Sequence, residues 1–205
     1  MIHSPPLALP LLLLLVLFAL LIFLVEVRVL TYAYRKVGVH PRYAFAVMLL
    51  SLFGSGIDIP LGAVASGPSA RASDATVVAL NVGGALIPIL VSLYLLIRTG
   101  MIVRMVIGTA IVTAVVHSLA QLVPGAGIAV PMFVPPIVAA AVALLLAFRR
   151  APPVAYVAGS MGTLIGADLM NLGQVARLGA PVVSIGGAGT FDGVFLTGIL
   201  AGLLA

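Results

Sequence analysis

The chain has 205 residues, 63% of them hydrophobic and 7% charged, with a mean hydropathy of +1.33, whereas soluble domains carry about 25% charged residues. That deficit excludes a soluble enzyme or regulatory domain. The net charge of +5 is no nucleic-acid footprint, because the ten basic residues stand singly or in pairs between apolar runs. With no cysteine and only His3, His40 and His117, disulfides, thiolate metal sites, cysteine nucleophiles and histidine-rich metal clusters are excluded as well.

A bilayer crossing takes about 20 apolar residues. Seven runs qualify, roughly 7–27, 43–63, 77–97, 105–123, 128–148, 153–176 and 182–204. The expected fold is therefore an all-α, polytopic bundle of seven transmembrane helices in one domain, 1–205. The first run, from Leu7 to Val25, has neither a basic leader nor a small-x-small cleavage pattern, so it reads as a membrane helix rather than a signal peptide. In the loop ASGPSARASDA after the second run, Ser73 or Asp74 is placed to cap the third helix. Glu26, close to Arg28, suits the membrane interface. The proline cluster from Val123 to Pro136 should kink or delay the fifth helix.

Alternate loops differ in charge. Those after helices one, three and five hold Arg28, Arg35, Lys36, Arg42, Arg98, Arg104, Arg149 and Arg150, against Arg71 and Arg177 in the others. The positive-inside bias predicts an outer N-terminus and a cytoplasmic C-terminus, in the prokaryotic inner membrane.

PRYAF at 41–45 precedes Asp58, and PPVAY at 152–156 precedes Asp168, at nearly equal spacing. NVGGA at 81–85 matches SIGGA at 184–188. These matches predict a parallel internal repeat, halves 1–97 and 128–205 around a linker helix 105–123. The plan resembles the three-plus-one-plus-three architecture of the small sugar transporters called SWEETs.

The polar residues concentrate the functional reading. Asp168 and Asp192 each stand near the middle of a membrane-length apolar run, where a carboxylate costs roughly 2.5–3.5 kcal/mol. At 1.5 Å per helical residue, both fall roughly 12–15 Å below the outer surface, on adjacent antiparallel helices. Asp58, Asn81, His117 and Asn171 occupy the same outer half, which predicts a polar cavity for a small ion or solute. Half of the 22 glycines lie between Gly159 and Gly202. The pairs Gly162/Gly166, Gly189/Gly193 and Gly198/Gly202 suit close helix contact, including a homo-oligomer through these faces. Gly83-Gly84 and the GGAG run at 186–189 are candidate helix breaks.

GTLIGADLMNL at 162–172, SIGGAGTFDGVFLTGIL at 184–200, NVGGALIPIL at 81–90 and VPGAGIAVPMFVPP at 123–136 resemble the motifs of an uncharacterised prokaryotic multi-pass membrane family, a domain of unknown function. That resemblance implies a polytopic membrane protein and supplies no activity. Phe191-Asp192 and Gly166-Ala167-Asp168 are similar to the paired motifs of intramembrane aspartyl proteases, the presenilin and signal-peptide-peptidase group. Here the order is reversed, Ala167 and Ile165 replace glycines, and no Pro-Ala-Leu follows. The resemblance implies Asp168 and Asp192 as a catalytic pair.

Three functions stay open: a cation- or proton-coupled transporter, an aspartyl protease, and a non-catalytic scaffold or assembly subunit. For the first, the site residues are Asp58, Asn81, His117, Asp168, Asn171 and Asp192. Oxygen ligands without thiols favour a proton or a hard cation over a soft metal, and no organic cofactor is expected. The expected partners are the lipid bilayer and the transported ion or solute.

Overall fold

The computed structural model describes residues 8–65, 75–123, 127–178, 180–187 and 193–205. Its α-helices are α1 (Ala8–Lys36), α2 (Pro41–Gly54), α3 (Ile87–Thr99), α4 (Ile102–Leu119), α5 (Val134–Ala147), α6 (Ala151–Thr163) and α7 (Gly193–Leu204). Counted as unbroken helical runs, there are six among the described residues, not the expected seven. Four are long and apolar enough to cross a membrane: Leu9–Lys36, Val82–Thr99, Ile102–Leu119 and Val134–Gln174, while α2 and α7 are shorter. The 41-residue run absorbs the expected fifth and sixth segments. A 3-10 turn, Phe148–Arg150, joins α5 to α6, with the backbone leaving helical geometry at Ala147 and Arg150. The two helices consequently fold against each other rather than forming one rod.

The chain is mostly helical, as expected, but it is not all-α. Strands β1 (Asp58–Ala65), β2 (Ala75–Asn81) and β5 (Val182–Ile185) form a sheet in the order β1-β2-β5, and β3 (Gln121–Val123) pairs with β4 (Gly127–Ala129). The expected second, third and seventh helices therefore give up part of their length to strands. Pro60 cannot continue a helix and sits at a bulge in β1, an edge strand, where proline is tolerated. In β2, the β-branched run Thr76-Val77-Val78 favours the extended form. β2 runs antiparallel to β1, with Asp58 opposite Asn81, and parallel to β5, with Ala79 opposite Ser184. The NVGGA and SIGGA stretches thus leave the ends of two neighbouring parallel strands. Ser73 and Asp74, the expected caps of the third helix, lie outside the described residues.

α6 is the hub of the bundle. It packs on α3, α4, α5 and α7, and every residue from Val154 to Ser160 is buried. Small side chains allow the close approach. A Cβ on Gly162 would lie 2.6 Å from Val112 of α4, and one on Gly198 of α7 would collide with the Ser160 hydroxyl. α5 presents an alanine face (Ala139, Ala143 and Ala147) to the same core. α1 joins through its last turns, with Ala33 and Tyr34 fully buried, as is Val37 just beyond its end. From Leu9 to Val25 every residue is exposed. An apolar surface of that extent is stable against lipid and not against water.

Candidate functional site where the helices meet the sheet

Asn81 ends β2, and its fully buried side chain is the hub of the site. Its Nδ2 donates to the Ser55 carbonyl (2.8 Å) and to Asp58 Oδ1 (3.0 Å), while its Oδ1 accepts from the Gly84 amide at 2.7 Å. The last bond caps a π-helical turn, Val82–Leu86, that starts the run into α3. The Gly83-Gly84 pair therefore does mark a departure from regular helix. Gly83 itself packs on α2: a Cβ there would lie 2.1 Å from the Ser51 carbonyl oxygen and 2.4 Å from the Ser55 nitrogen.

Asp58 opens β1 and is exposed. The same Oδ1 that meets Asn81 also accepts from Ser184 Oγ at 2.5 Å, across 126 residues of chain. On the other side, Asp168 ends a second π-helical turn, Leu164–Asp168, and its Oδ2 accepts from the Gly186 amide at 2.7 Å. Neither aspartate sits inside a regular helix as the sequence had suggested. Asp58 opens a strand just after α2, and Asp168 stands where the π-helical turn passes into a 3-10 segment, Leu169–Leu178. The two carboxylates grip points two residues apart on the end of β5, about 7 Å along a strand. Gly186 turns there with φ 86°, and a Cβ would lie 2.7 Å from the Ala85 nitrogen. Ala85, Leu164, Ile185 and Val194 form an apolar floor beneath.

Asn171 and His117 are committed to backbone. Asn171 Nδ2 donates to the carbonyls of Gly166 (3.2 Å) and Ala167 (2.8 Å), and His117 Nδ1 lies 3.3 Å from the Gly166 carbonyl. Both satisfy oxygens around the π-helical turn that carries Asp168, so they hold that turn rather than face the carboxylates. Asp192 lies outside the described residues, and with it the Asp168–Asp192 pairing. Among the described residues no three His, Asp or Glu side chains gather as a metal cluster. What the site offers is two carboxylates, each with one oxygen hydrogen-bonded and the other without a partner among the described residues, and a serine hydroxyl.

Sequence reasoning missed Ser184, although it stands inside a quoted motif. A hydroxyl cluster in the core was also missed. Tyr34 Oη and Ser51 Oγ share a 2.8 Å hydrogen bond, and the Tyr34 and Tyr156 ring centroids are 6.2 Å apart. The buried hydroxyls of Tyr156, Ser160 and Thr163 have no partner among the described residues. Their signal was available: positions 156, 160 and 163 share one helix face by the i, i+4 and i+3 rule. Tyr34→Phe orphans Ser51 and is expected to cost roughly 1–3 kcal/mol, seen as a lower melting temperature. Tyr156→Phe removes a hydroxyl that has no partner in hydrogen-bond geometry among the described residues and should leave the melting temperature unchanged. Equal losses in the two variants would show that Tyr156 has a partner.

The fold and site together define a mostly helical protein, with four helices long and apolar enough to cross a membrane and a small sheet that gathers polar side chains at one end of the bundle. The chain belongs to the family described as Protein of unknown function (DUF1614), whose model matches residues 24–204. No curated protein and no solved structure matches the chain.

Proposed function

We propose that the chain is a small carrier of the prokaryotic cytoplasmic membrane, in which a proton or a hard cation binds between Asp58 and Asp168. The observation that carries this reading is that both carboxylates are anchored to one three-residue stretch, Ser184–Gly186, each through a single oxygen. A cation or proton arriving at the other oxygens changes how both acids hold β5. It thereby couples the α2–β1 side of the bundle to the α6 side.

Two features support the membrane placement. Open sheet edges are not stable in hydrocarbon, so the β1-β2-β5 end belongs at a water-facing surface. Lys36, Arg42, Arg98, Arg104, Arg149 and Arg150 stand at or beside the helix ends remote from that sheet, which makes the sheet end the outer one by the positive-inside rule. The parallel neighbours β2 and β5, each leading into a Gly-Gly pair, support the two-copy plan 1–97 and 128–205 around helix 105–123.

The test is thermal stability of the detergent-purified protein across pH and a panel of Li⁺, Na⁺, K⁺, Mg²⁺ and Ca²⁺. It is run on wild type and on Asp58→Asn/Asp168→Asn. A ligand at 100 times its Kd stabilises the native state by about 2.7 kcal/mol. One cation, or acidification, should raise the wild-type melting temperature and leave the double variant unmoved. In liposomes the same species should move in wild type only. Identical responses of both proteins would sink the proposal.

A further inference from the structure

On the face of the bundle between α2 and α3 runs an open groove of about 320 Å³. Val47 and Leu50 of α2 and Ile87 and Leu90 of α3 line its length, and Tyr43 and Tyr94 close one end. The two helices are antiparallel. Gly54, at the end of α2, lies against Val82 and Gly83 before α3, so the tyrosines sit at the end remote from the sheet. That end is cationic. Arg98, one turn beyond Tyr94, donates through Nη1 to the Tyr94 hydroxyl, and its guanidinium carbon lies 5.6 Å from the ring centroid. The His40 ring lies tilted against Tyr43, at 5.9 Å between centroids. Arg98 is exposed and meets no carboxylate among the described residues.

We infer that this groove holds one acyl chain of an anionic phospholipid, with the lipid phosphate on Arg98. A guanidinium has five donors in a fixed fork that matches phosphate oxygens. One nitrogen is engaged by Tyr94, which orients the fork and leaves the others free. Tyrosines at the headgroup level and apolar residues below them match the layering of a bilayer leaflet, and basic pockets between membrane helices suit anionic headgroups. The lining itself is uncharged, and the charge stands at the tyrosine end, on Arg98 beside Tyr94. The inference does not depend on transport: it concerns a lipid site at the opposite end from Asp58 and Asp168.

The test is native mass spectrometry of the full chain, delipidated and then titrated with phosphatidylglycerol or phosphatidylcholine of identical acyl chains. Wild type should prefer phosphatidylglycerol about fivefold, the increment of one basic residue at a membrane surface. Arg98→Gln and Arg98→Glu should bring phosphatidylglycerol down to the phosphatidylcholine level. Leu90→Trp, which fills the groove from an exposed position, should weaken both lipids. Equal binding of the two lipids by wild type overturns the inference, as does a preference that survives both Arg98 variants. Competition by inorganic phosphate as strong as by the lipid would also overturn it, since the acyl groove would then contribute nothing.

Discussion

Asn81→Leu is expected to yield little folded protein, with a melting temperature lower than wild type by more than about 6 °C in whatever survives purification. Leucine is close to asparagine in size, so the loss is not a cavity effect. It comes from hydrogen bonds. The Gly84 amide and the Ser55 carbonyl, both in buried residues, lose their partner, and Asp58 loses one of its two donors. Each orphaned buried group costs roughly 1–3 kcal/mol, and nothing else nearby can replace the amide, which donates twice and accepts once. Asn81→Asp separates the roles. The new carboxylate can still accept from Gly84, but it faces Asp58 across the 3.0 Å contact, and two carboxyls that close must share a proton. Because the shared proton is held by the folded state, the variant should be nearest to wild type at low pH and lose stability as pH rises. A melting temperature for Asn81→Leu within about 2 °C of wild type would mean that the hub makes no net contribution.

Gly83→Ala should be as damaging, by a different route. The added methyl would meet the Ser51 carbonyl oxygen at 2.1 Å and the Ser55 nitrogen at 2.4 Å. These are backbone atoms of α2 and its end, so no rotamer change relieves the contact. Either α2 shifts or the π-helical turn unwinds, and both movements pull Asn81 away from Ser55 and Asp58. Overpacking of a tight interior costs about 1–3 kcal/mol even where side chains can adjust; backbone against backbone should exceed that. Gly62→Ala is the control. It lies on β1 of the same sheet, with nothing within 4 Å of the added methyl, and should be close to neutral. Gel filtration and melting temperatures of the two variants, side by side, decide the matter. A Gly83→Ala protein as stable as Gly62→Ala would rule out the tight α2 contact.

Much of the class was readable in advance. The near absence of charge and the length of the apolar runs pointed to membrane helices, and four helices are long and apolar enough to cross a membrane. The motifs around 81–90, 123–136, 162–172 and 184–200 pointed to a family of unknown function, and the family match spans 24–204. Gly83-Gly84 announced an irregular turn before α3, and Gly162 announced a close contact for α6. Less readable was the form of each apolar run. The stretch 43–63 has apolar residues on every face, so no period of 3.6 or 2 distinguishes helix from strand. Its last six residues, 58–63, became part of β1 because Pro60 and a partner strand were available.

Composition, charge placement and turn-forming glycines are local properties, and they were enough to point to a chain with membrane-length apolar helices and to the approximate position of most of them. Which of those residues meet was decided by pairings across long stretches of chain. Asp58 was an exposed strand residue until Ser184, 126 positions away, reached its carboxylate. Asp168 was one acid among five until Gly186 turned its amide toward it, a geometry that requires β5 to lie beside β2. Hydrogen bonds of this kind carry no signature in a single sequence, because any buried donor can satisfy any acceptor of the right depth. Only the packing of α6 at the centre of the bundle brings these donors and acceptors within reach.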